Sequence, residues 1–507
     1  MHFNAHFTWR IRRATMIALS LVLLLLLPLT ASANVAVTKI SEDTYTNTTS
    51  QHKTQVESDT FAFGSTIVAV QQTGRFFDGG ASNITWATSN DNGTNWVTGN
   101  LPGITKHDNP ANPYDRVSDP AVAYDAQDGV WLVSTLAITE VGGGILGAAV
   151  LSSRSTDAMG TAWNNPVIVS AASGNSNLDK NWIACDNTAS SPFYGNCYTQ
   201  WDDNGQLNKL YMSTSTNGGL TWGAKKATKG NYHGLGGQPV VLNNGTVCVP
   251  YYTGGTQIGA FRSTNGGGSW SAAVLVMNIT THTVAGNLRS LALPSAEVDG
   301  SGKVYVVVQD ASFRSGASSN DIVMSTSTNC TTWTSKVRIP IDTVTSGVDH
   351  FIPGIGVDRN TSGSGAHIGI TYYYYPVANC TFATCALRVG YISSANGGTS
   401  WAAFTEVAGP MTLSWLPNTS QGRMVGDYTS TSYSASGLAH GAFAIAFAPT
   451  GNADCAIATP NCDQATYTTA SGQALAVTSV AETPVEQPRI SMAAAEHAAD
   501  QSAVTSR

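Results

Sequence analysis

Short segments in which apolar and polar residues alternate recur along the chain, and each leads into a similar turn. Clear examples are residues 84–87, 209–212, 258–261, 322–324 and 387–391. Alternation over a few residues is typical of a half-buried β-strand. Lys-, Glu- and Leu-rich stretches of the kind that form helices are rare. The pattern therefore predicts an all-β protein.

The turn after these strands follows the pattern Ser-x-Asp/Asn-x-Gly-x-x-Trp, which we call the box turn. Full copies occupy residues 89–96, 215–222, 263–270 and 394–401, and imperfect copies occupy residues 155–163 and 327–333. An Asp or Asn side chain accepts backbone N–H groups in such a turn, Gly supplies a positive φ, and Trp packs beneath. We therefore assign Asp91, Asp157 and Asn217 a structural role in strand-to-strand hairpins.

The spacing of the box turns predicts the architecture. The 305 residues from Trp96 to Trp401 make five intervals of 61 residues, enough for four strands with generous loops. Residues 34–470 then hold about seven such units, which favours a β-propeller of seven four-stranded blades over one of six. Residues 35–40 are predicted to close the last blade as its outermost strand. A β-helix has shorter turns, and separate sandwiches would not share one turn motif.

The amino-acid composition indicates where the protein is located. Only 11% of the 507 residues are charged, against about 25% in an ordinary domain, and Gly is abundant at 50. The glycines have no three-residue period, which excludes collagen, and the 12 Trp, 18 Tyr and 14 Phe can close a core, which disfavours disorder. A weakly charged, turn-rich β chain is typical of a secreted protein.

Both ends of the chain differ from its middle. Residues 1–33 hold arginines, an apolar run at 16–29 and a small-x-small site at 31–33, which predicts a signal peptide and export to the periplasm or extracellular space. The run is shorter than the roughly 20 residues of a membrane span. Residues 471–507 lack aromatics and are predicted to be a flexible tail, or a short helix near 491–500. The remaining chain has a net charge near −10, which disfavours nucleic acid and anionic membranes as partners.

Eight cysteines in an exported chain predict disulfides. Three local pairs are plausible: Cys185 with Cys197, Cys380 with Cys385, and Cys455 with Cys462. Cys248 and Cys330 remain for a long-range bridge. No CxxC spacing or other metal-ligand pattern occurs, so we predict neither a metal site nor a cofactor.

The box turn resembles the Asp box, or BNR repeat, of the sialidase (neuraminidase) superfamily, over about residues 34–470. The resemblance implies a propeller whose boxes lie on the face opposite the binding site. Sialidases hold a substrate carboxylate with three arginines, use Tyr as nucleophile and use Asp as acid/base. By position, it implies that Arg75 binds substrate, Asp78 is the acid/base and Tyr428 is the nucleophile.

The chain departs from this family in two places. The Arg-Ile-Pro expected at the first blade is absent, and residues 58–61 read Ser-Asp-Thr-Phe. Gln238 stands where the family places the Glu that activates the Tyr. Because Gln cannot accept a proton from Tyr428, the site lacks a part that an orthodox sialidase needs. We therefore assign Gln238 to substrate binding.

Charged and aromatic residues also recur just before the first strand of each repeat, where the chain would enter near the propeller axis. Among them we assign Asp119, Asp179 and Asp349 acid/base roles. Arg116, Lys180, Arg289 and Arg423 are candidates for binding an anionic group, Trp182 or Phe351 for stacking on a sugar, and His350 for lining the site. The competing interpretation is that these charges pair with each other and hold neighbouring blades together.

The sequence thus predicts a secreted, monomeric propeller with a ligand site at the opening of its central axis. The ligand on which it acts or which it binds is a glycan or another small polar molecule, which includes anionic ones. One hypothesis is a glycoside hydrolase related to sialidases but with a non-standard site. The alternative is a non-catalytic propeller that binds carbohydrate or protein there, and a third is a structural surface protein.

Overall fold

The computed structural model describes residues 35–451, 454–456, 462–475 and 479–480, and their regular structure is almost entirely β. The predicted all-β class is therefore confirmed. Helical structure in these ranges is limited to the 3-10 turns Asn204–Gln206, Ser315–Ala317, Gly363–Gly365 and Leu413–Trp415. None of them has the length and apolar character that crossing a membrane requires. The predicted signal peptide and most of the predicted tail lie outside the described residues.

The strands form antiparallel units of four. There are five separate four-stranded sheets and one eight-stranded sheet, whose two halves are joined only by the bridge between Ala81 and Val117. The first three units are β2 Gln51–Phe63, β3 Thr66–Arg75, β4 Ala81–Ser89, β5 Val97–Asn100; β6 Arg116–Asp125, β7 Val130–Val141, β8 Gly144–Arg154, β9 Val167–Ala171; and β10 Leu178–Cys185, β11 Cys197–Asp203, β12 Lys209–Ser215, β13 Lys226–Ala227.

Four further units complete the set within the described ranges, so the count of units is seven. They are β14 Val240–Val241, β15 Val247–Tyr252, β16 Gln257–Ser263, β17 Val274–Asn278; β18 Ser295–Val298, β19 Val304–Asp310, β20 Asp321–Ser327, β21 Val337–Arg338; β22 Asp349–Val357, β23 Ile368–Tyr375, β24 Ala386–Ser394, β26 Thr405–Thr412; and β29 Ser430–Tyr433, β30 Ala439–Ala446, β31 Gln464–Thr469, β1 Val37–Lys39. Two short pairs lie outside the units: β25 Trp401–Ala402 with β32 Ser479–Val480, and β27 Asn418–Thr419 with β28 Gly422–Arg423.

The seventh unit joins the two ends of the described chain. Its outer strand β1 comes from the N-terminal side and pairs antiparallel with β31, Val37 lying opposite Thr469. This confirms the prediction that residues 35–40 close the last unit. The pairing lets one unit depend on residues that are more than 400 positions apart in sequence.

The first strands of the seven units contact one another in a closed series: β2, β6, β10, β14, β18, β22, β29 and again β2. The contacts between the first strands therefore follow a cyclic order, which we call the ring, and residues of all seven strands line one cavity. Apolar side chains fill the interfaces between neighbouring units. For example, Leu136 and Ile138 of β7 pack with Trp201 and Tyr211 of the next unit.

The box turns have the hydrogen bonds that the sequence predicts. In the first copy, Asp91 Oδ1 accepts the backbone N–H groups of Thr94 and Asn95 at 3.1 and 2.9 Å, and Ser89 Oγ accepts that of Gly93 at 2.9 Å. These bonds lower the pKa of Asp91 to about 2. Equivalent bonds occur in the other three full copies, at Asn217, Asn265 and Asn396.

All eight cysteines are paired as predicted: Cys185–Cys197, Cys248–Cys330, Cys380–Cys385 and Cys455–Cys462. The bridge between Cys248 and Cys330 joins β15 of the fourth unit to the box turn of the fifth. It therefore holds two neighbouring units together, whereas the other three bridges close loops of 5 to 12 residues.

Candidate functional site at the centre of the ring

The same irregularity occurs in the first strands of four units. At one point two residues of the first strand lie opposite a single residue of the second, which is a β-bulge. The first bulge residue is Glu57, Asp119, Lys180 or Ile352, with φ of 54, 48, 47 and 49° respectively. A left-handed backbone is costly for residues other than Gly, and it turns the side chain away from the regular alternation.

Three of these bulges bring charged side chains into one buried group. Lys180 Nζ lies 3.1 Å from Asp119 Oδ1, 2.5 Å from Asp427 Oδ2 and 3.7 Å from Glu57 Oε1. Arg289 binds both oxygens of Asp427, with Nε at 2.6 Å and Nη2 at 2.5 Å. We call Glu57, Asp119, Lys180, Arg289 and Asp427 the charged cluster. Its members come from five different units or the loops leading into them.

The environment gives the carboxyl groups of the cluster different pKa values. Burial raises the pKa of Glu57 to about 8, although Lys180 opposes the shift. Burial would also raise the pKa of Asp427, but Arg289 and Lys180 outweigh it and hold that pKa well below its usual range. Next to the cluster, burial raises the pKa of Asp179 to about 6. A protonated carboxyl group and an ionised one are therefore close together at neutral pH.

Arg75 lies behind the charged cluster and supports it. Its Nη1 donates to Gln72 Oε1 and to the carbonyl of Gly80, both at 3.1 Å. Gln72 in turn donates through Nε2 to Glu57 and, at 2.9 Å, to Ser118 Oγ. Burial lowers the pKa of Arg75 to about 10. Arg75 thus positions Glu57 through Gln72.

An open cleft adjoins the cluster at the centre of the ring. Asp119, Lys180 and Asp427 form its charged part, and the other lining residues are Asn181, Trp182, Gly236, Gln238, Leu293, Pro294, Ser295, Ile352, Pro353, Tyr428 and Thr429. The rings of Trp182 and Tyr428 meet edge to face with centroids 4.8 Å apart. The Tyr428 hydroxyl donates to the carbonyl of Pro120 at 2.9 Å, and burial keeps its pKa well above the usual value.

A second cavity adjoins the cleft at the centre of the ring. It is lined by residues of all seven first strands and shares Trp182 and Gln238 with the cleft. Its charged residues are Asp59, Glu297 and Arg359, and Arg359 Nη2 lies 3.2 Å from Glu297 Oε2. Burial raises the pKa of Asp59 to about 7. The cleft and the second cavity therefore adjoin at Trp182 and Gln238.

The structure brings together eight of the candidate site residues. Six of them line the cleft or bond to a residue that does, and Asp179 and Arg75 adjoin the cluster: Arg75, Asp119, Asp179, Lys180, Trp182, Gln238, Arg289 and Tyr428. Gln238 is anchored through its Oε1, which accepts the backbone N–H of Ala296 at 2.7 Å.

Asp78 and Arg116 lie apart from the cleft as a pair of their own. Arg116 donates through Nη1 to Asp78 and lies 2.7 Å from Glu140 through Nη2, and its guanidinium stacks over Phe76 at 4.1 Å. Arg116 begins β6, three residues before the bulge at Asp119, so its side chain points toward the loop between β3 and β4. This pair joins two neighbouring units and has the structural role that paired charges often have.

Asp349, His350 and Arg423 also lie apart from the cleft. Asp349 Oδ1 accepts the backbone and side-chain N–H groups of Asn320 at 2.7 and 2.8 Å. His350 packs against tyrosine rings, and burial lowers its pKa to about 4. Arg423 donates to the carbonyls of Leu416 and Cys455. In β22 the bulge falls on Ile352, so an apolar side chain reaches the cleft, and Phe351, a candidate for stacking on sugar, is buried in the core.

Asp321, Asp342 and His350 are the one trio in the described ranges whose ligand atoms are close enough to share a metal ion. Arg314 pairs with both carboxylates, at 2.5 Å to Asp321 and 2.8 Å to Asp342. Arg338 also pairs with both. Two guanidinium groups therefore already neutralise the acidic groups of this trio.

Neither Glu57 nor Asp427 was assigned to the site from the sequence. Glu57 has the same place in β2 as Asp119 in β6 and Lys180 in β10, because each is the first bulge residue and lies two residues before the regular pairing resumes. No residue type marks that place in the sequence.

No family model and no curated protein matches the chain. Several solved structures are similar to it. A protein of unknown function from Dyadobacter fermentans is 16% identical over 73% of this chain and 100% of its own, with a TM-score of 0.45. The NanB sialidase of Streptococcus pneumoniae and a leech intramolecular trans-sialidase are each 13% identical over 85% of this chain and 70% of their own, with TM-scores of 0.41.

Proposed function

We propose that the protein is a seven-bladed β-propeller of the sialidase superfamily whose axial cleft binds the end of a neutral glycan. The closed series of first strands and the repeated box turns support the architecture. In the first unit the box turn lies beside the connection from β2 to β3, because Asn92 N donates to the Ser65 carbonyl. The cleft residues Asp119, Lys180 and Ile352 lie near the other end of their strands, where the first strands begin.

One observation carries the proposed ligand: the cleft places two aromatic rings beside a charged polar group. Trp182 and Tyr428 offer apolar ring surface to the C–H face of a sugar, while Asp119, Lys180 and Gln238 offer hydrogen-bonding groups to its hydroxyls. A glycan end combines these two kinds of surface.

The state of the cations favours a neutral sugar over sialic acid. Lys180 bonds to Asp119 and Asp427, and Arg289 makes a bidentate pair with Asp427. Arg75 donates to Gln72 and Gly80. A substrate carboxylate would have to displace an internal one, which is costly for a buried ion pair.

A specific observation favours glycoside hydrolysis as a second candidate function. Glu57 keeps its proton near neutral pH, and Asp427 stays ionised in the same cluster, as an acid and a base require. The Tyr428 hydroxyl is bonded to a carbonyl and has a raised pKa, which does not support a tyrosine nucleophile.

The proposal is tested by glycan-array binding of the full chain, followed by calorimetric titration of the best ligand. We expect neutral glycans to bind, Trp182→Ala to abolish binding, and Tyr428→Phe to retain it, because the ring survives. Trp222→Phe, in a box turn, is the matched control and should bind as the wild type does. Preferential binding of sialosides, or no effect of Trp182→Ala, would contradict the proposal, and turnover of neutral aryl glycosides would establish the second candidate.

A further inference from the structure

Two acidic residues lie directly opposite each other beside the charged cluster. Asp179 of β10 and Asp202 of β11 are partners in the antiparallel ladder, so their side chains project from the same face of the sheet. Like charges in this position destabilise a sheet. Asp202 is fully buried, and neither of its carboxylate oxygens has a hydrogen-bond partner among the described residues.

A third oxygen-bearing side chain points from the same face. Gln200 precedes Asp202 by two residues on β11, and residues two apart on a strand share a face. Gln200 is also fully buried, and its amide oxygen and nitrogen both lack partners within the described part of the chain. Its side chain packs against Gly237, where a Cβ atom would come within 2.7 Å of Gln200 Cδ.

The nearby cations do not satisfy these oxygens. Lys180, the nearest, donates hydrogen bonds to Asp119 and Asp427, and its ammonium group lies 3.7 Å from Glu57. Arg289 is bound to Asp427. The face formed by Asp179, Asp202 and Gln200 therefore carries buried oxygen atoms that no cation of the described residues binds.

We propose that Asp179, Asp202 and the amide oxygen of Gln200 bind a Ca²⁺ ion. Calcium takes six to eight oxygen ligands, and carboxylates and amide carbonyls are its usual ones in proteins. Two ionised carboxylates match the charge of the ion, and the bound ion relieves the repulsion between them. Asp179 is only partly buried and adjoins Lys180 at the cleft, so water can complete the coordination shell from that side.

The experiment uses the full chain after treatment with EDTA, with CaCl2 as the only added ligand and no sugar present. We expect a saturable calorimetric signal and a rise of the unfolding temperature by about 2 °C or more at a calcium concentration well above Kd. Asp202→Asn keeps the shape of the side chain and removes its charge, and it should abolish both effects. Asp179→Asn, at a less buried position, should do the same.

Asp203→Asn is the matched control on the same strand. Asp203 points to the opposite face and already accepts the Asn177 backbone N–H at 2.9 Å and Gln206 Nε2 at 2.7 Å. This variant should keep the calcium response whatever its own stability. An absent response in the wild type would overturn the assignment and indicate that the two carboxyl groups share a proton. An undiminished response in Asp202→Asn and Asp179→Asn would also overturn it and indicate that calcium binds elsewhere. Since no glycan enters the assay, its outcome is independent of the proposed function.

Discussion

Replacement of Lys180 by Met is the most direct perturbation of the charged cluster. Met has a similar length and no charge, so the change removes the ammonium group while it keeps most of the packing. Glu57, Asp119 and Asp427 then lose their shared cation, and only Asp427 retains another, Arg289. All three carboxylates are nearly fully buried, with side-chain exposures of 0 to 2%.

The expected loss of stability follows from this burial. Removal of one partner from a buried ion pair typically costs about 3–5 kcal/mol, because an uncompensated charge remains inside. Total unfolding free energies are about 5–15 kcal/mol, so the loss is a large share of the whole. Without Lys180, the folded-state pKa of Glu57 rises further, because Lys180 is the largest influence that lowers it. A group with a raised folded pKa contributes stability that is present at low pH and lost as pH rises through that pKa, so the variant should lag further behind the wild type at pH 8 than at pH 5.

Urea unfolding at pH 5 and pH 8, with disulfides intact, measures the loss of unfolding free energy and its dependence on pH. Lys39→Met is the control, because Lys39 pairs with Glu42 on the surface with 45% of its side chain exposed, and such pairs contribute about 0–1 kcal/mol. A loss below about 1 kcal/mol for Lys180→Met at pH 8, or a loss that is the same at both pH values, would refute the cluster as a buried network held by lysine.

Three other changes should each alter stability in a defined way. Glu57→Gln should become more stable relative to the wild type as pH rises from 5 to 9, because the pKa of Glu57 rises from 4.5 to about 8 on folding and its contribution is lost above that value; equal urea midpoints for variant and wild type across this range would contradict the assignment. Ser263→Ala should cost about 1–2 kcal/mol, since the Gly267 N–H loses its acceptor at 3.0 Å, and chemical unfolding beside Ser271→Ala, which is more exposed, checks this. Conversion of Cys248 and Cys330 to Ser should cost about 4 kcal/mol, because that bridge closes a separation of 82 residues, and the same change at Cys380 and Cys385 should cost measurably less by thermal unfolding.

Features of the fold that depend on neighbouring residues could be predicted from the sequence. The box turn is one, because its hydrogen bonds join residues that are at most four positions apart, within residues 263–269. The local disulfides are another. Even the pairing of β1 with β31 was predictable, since an even spacing of units leaves one outer strand to be supplied by the other end of the chain.

The membership of the site depends on contacts that no local pattern records. Asp119 and Arg116 are three residues apart, yet Asp119 reaches the centre of the ring and Arg116 reaches Asp78 in the neighbouring unit. The bulge causes this difference, and its left-handed residue is not a glycine, so the sequence carries no marker for it. The recurrence of charged residues at the starts of the first strands predicted the region of the site. The bulges determine which of these side chains reach the centre of the ring.

The four bulges show that the charged residues at the centre are not a requirement of the backbone. The same two-against-one pairing and a similar φ occur at Glu57, Asp119, Lys180 and Ile352, so an apolar residue serves the geometry as well as a charged one. A non-glycine residue in this conformation costs of order 1–3 kcal/mol, and burial of a charge adds to that cost. Three strained positions therefore carry charges that lower the stability of the ring unless all their partners are present. Such an arrangement is expected where a preorganised polar site, rather than the stability of the fold, determines the residue.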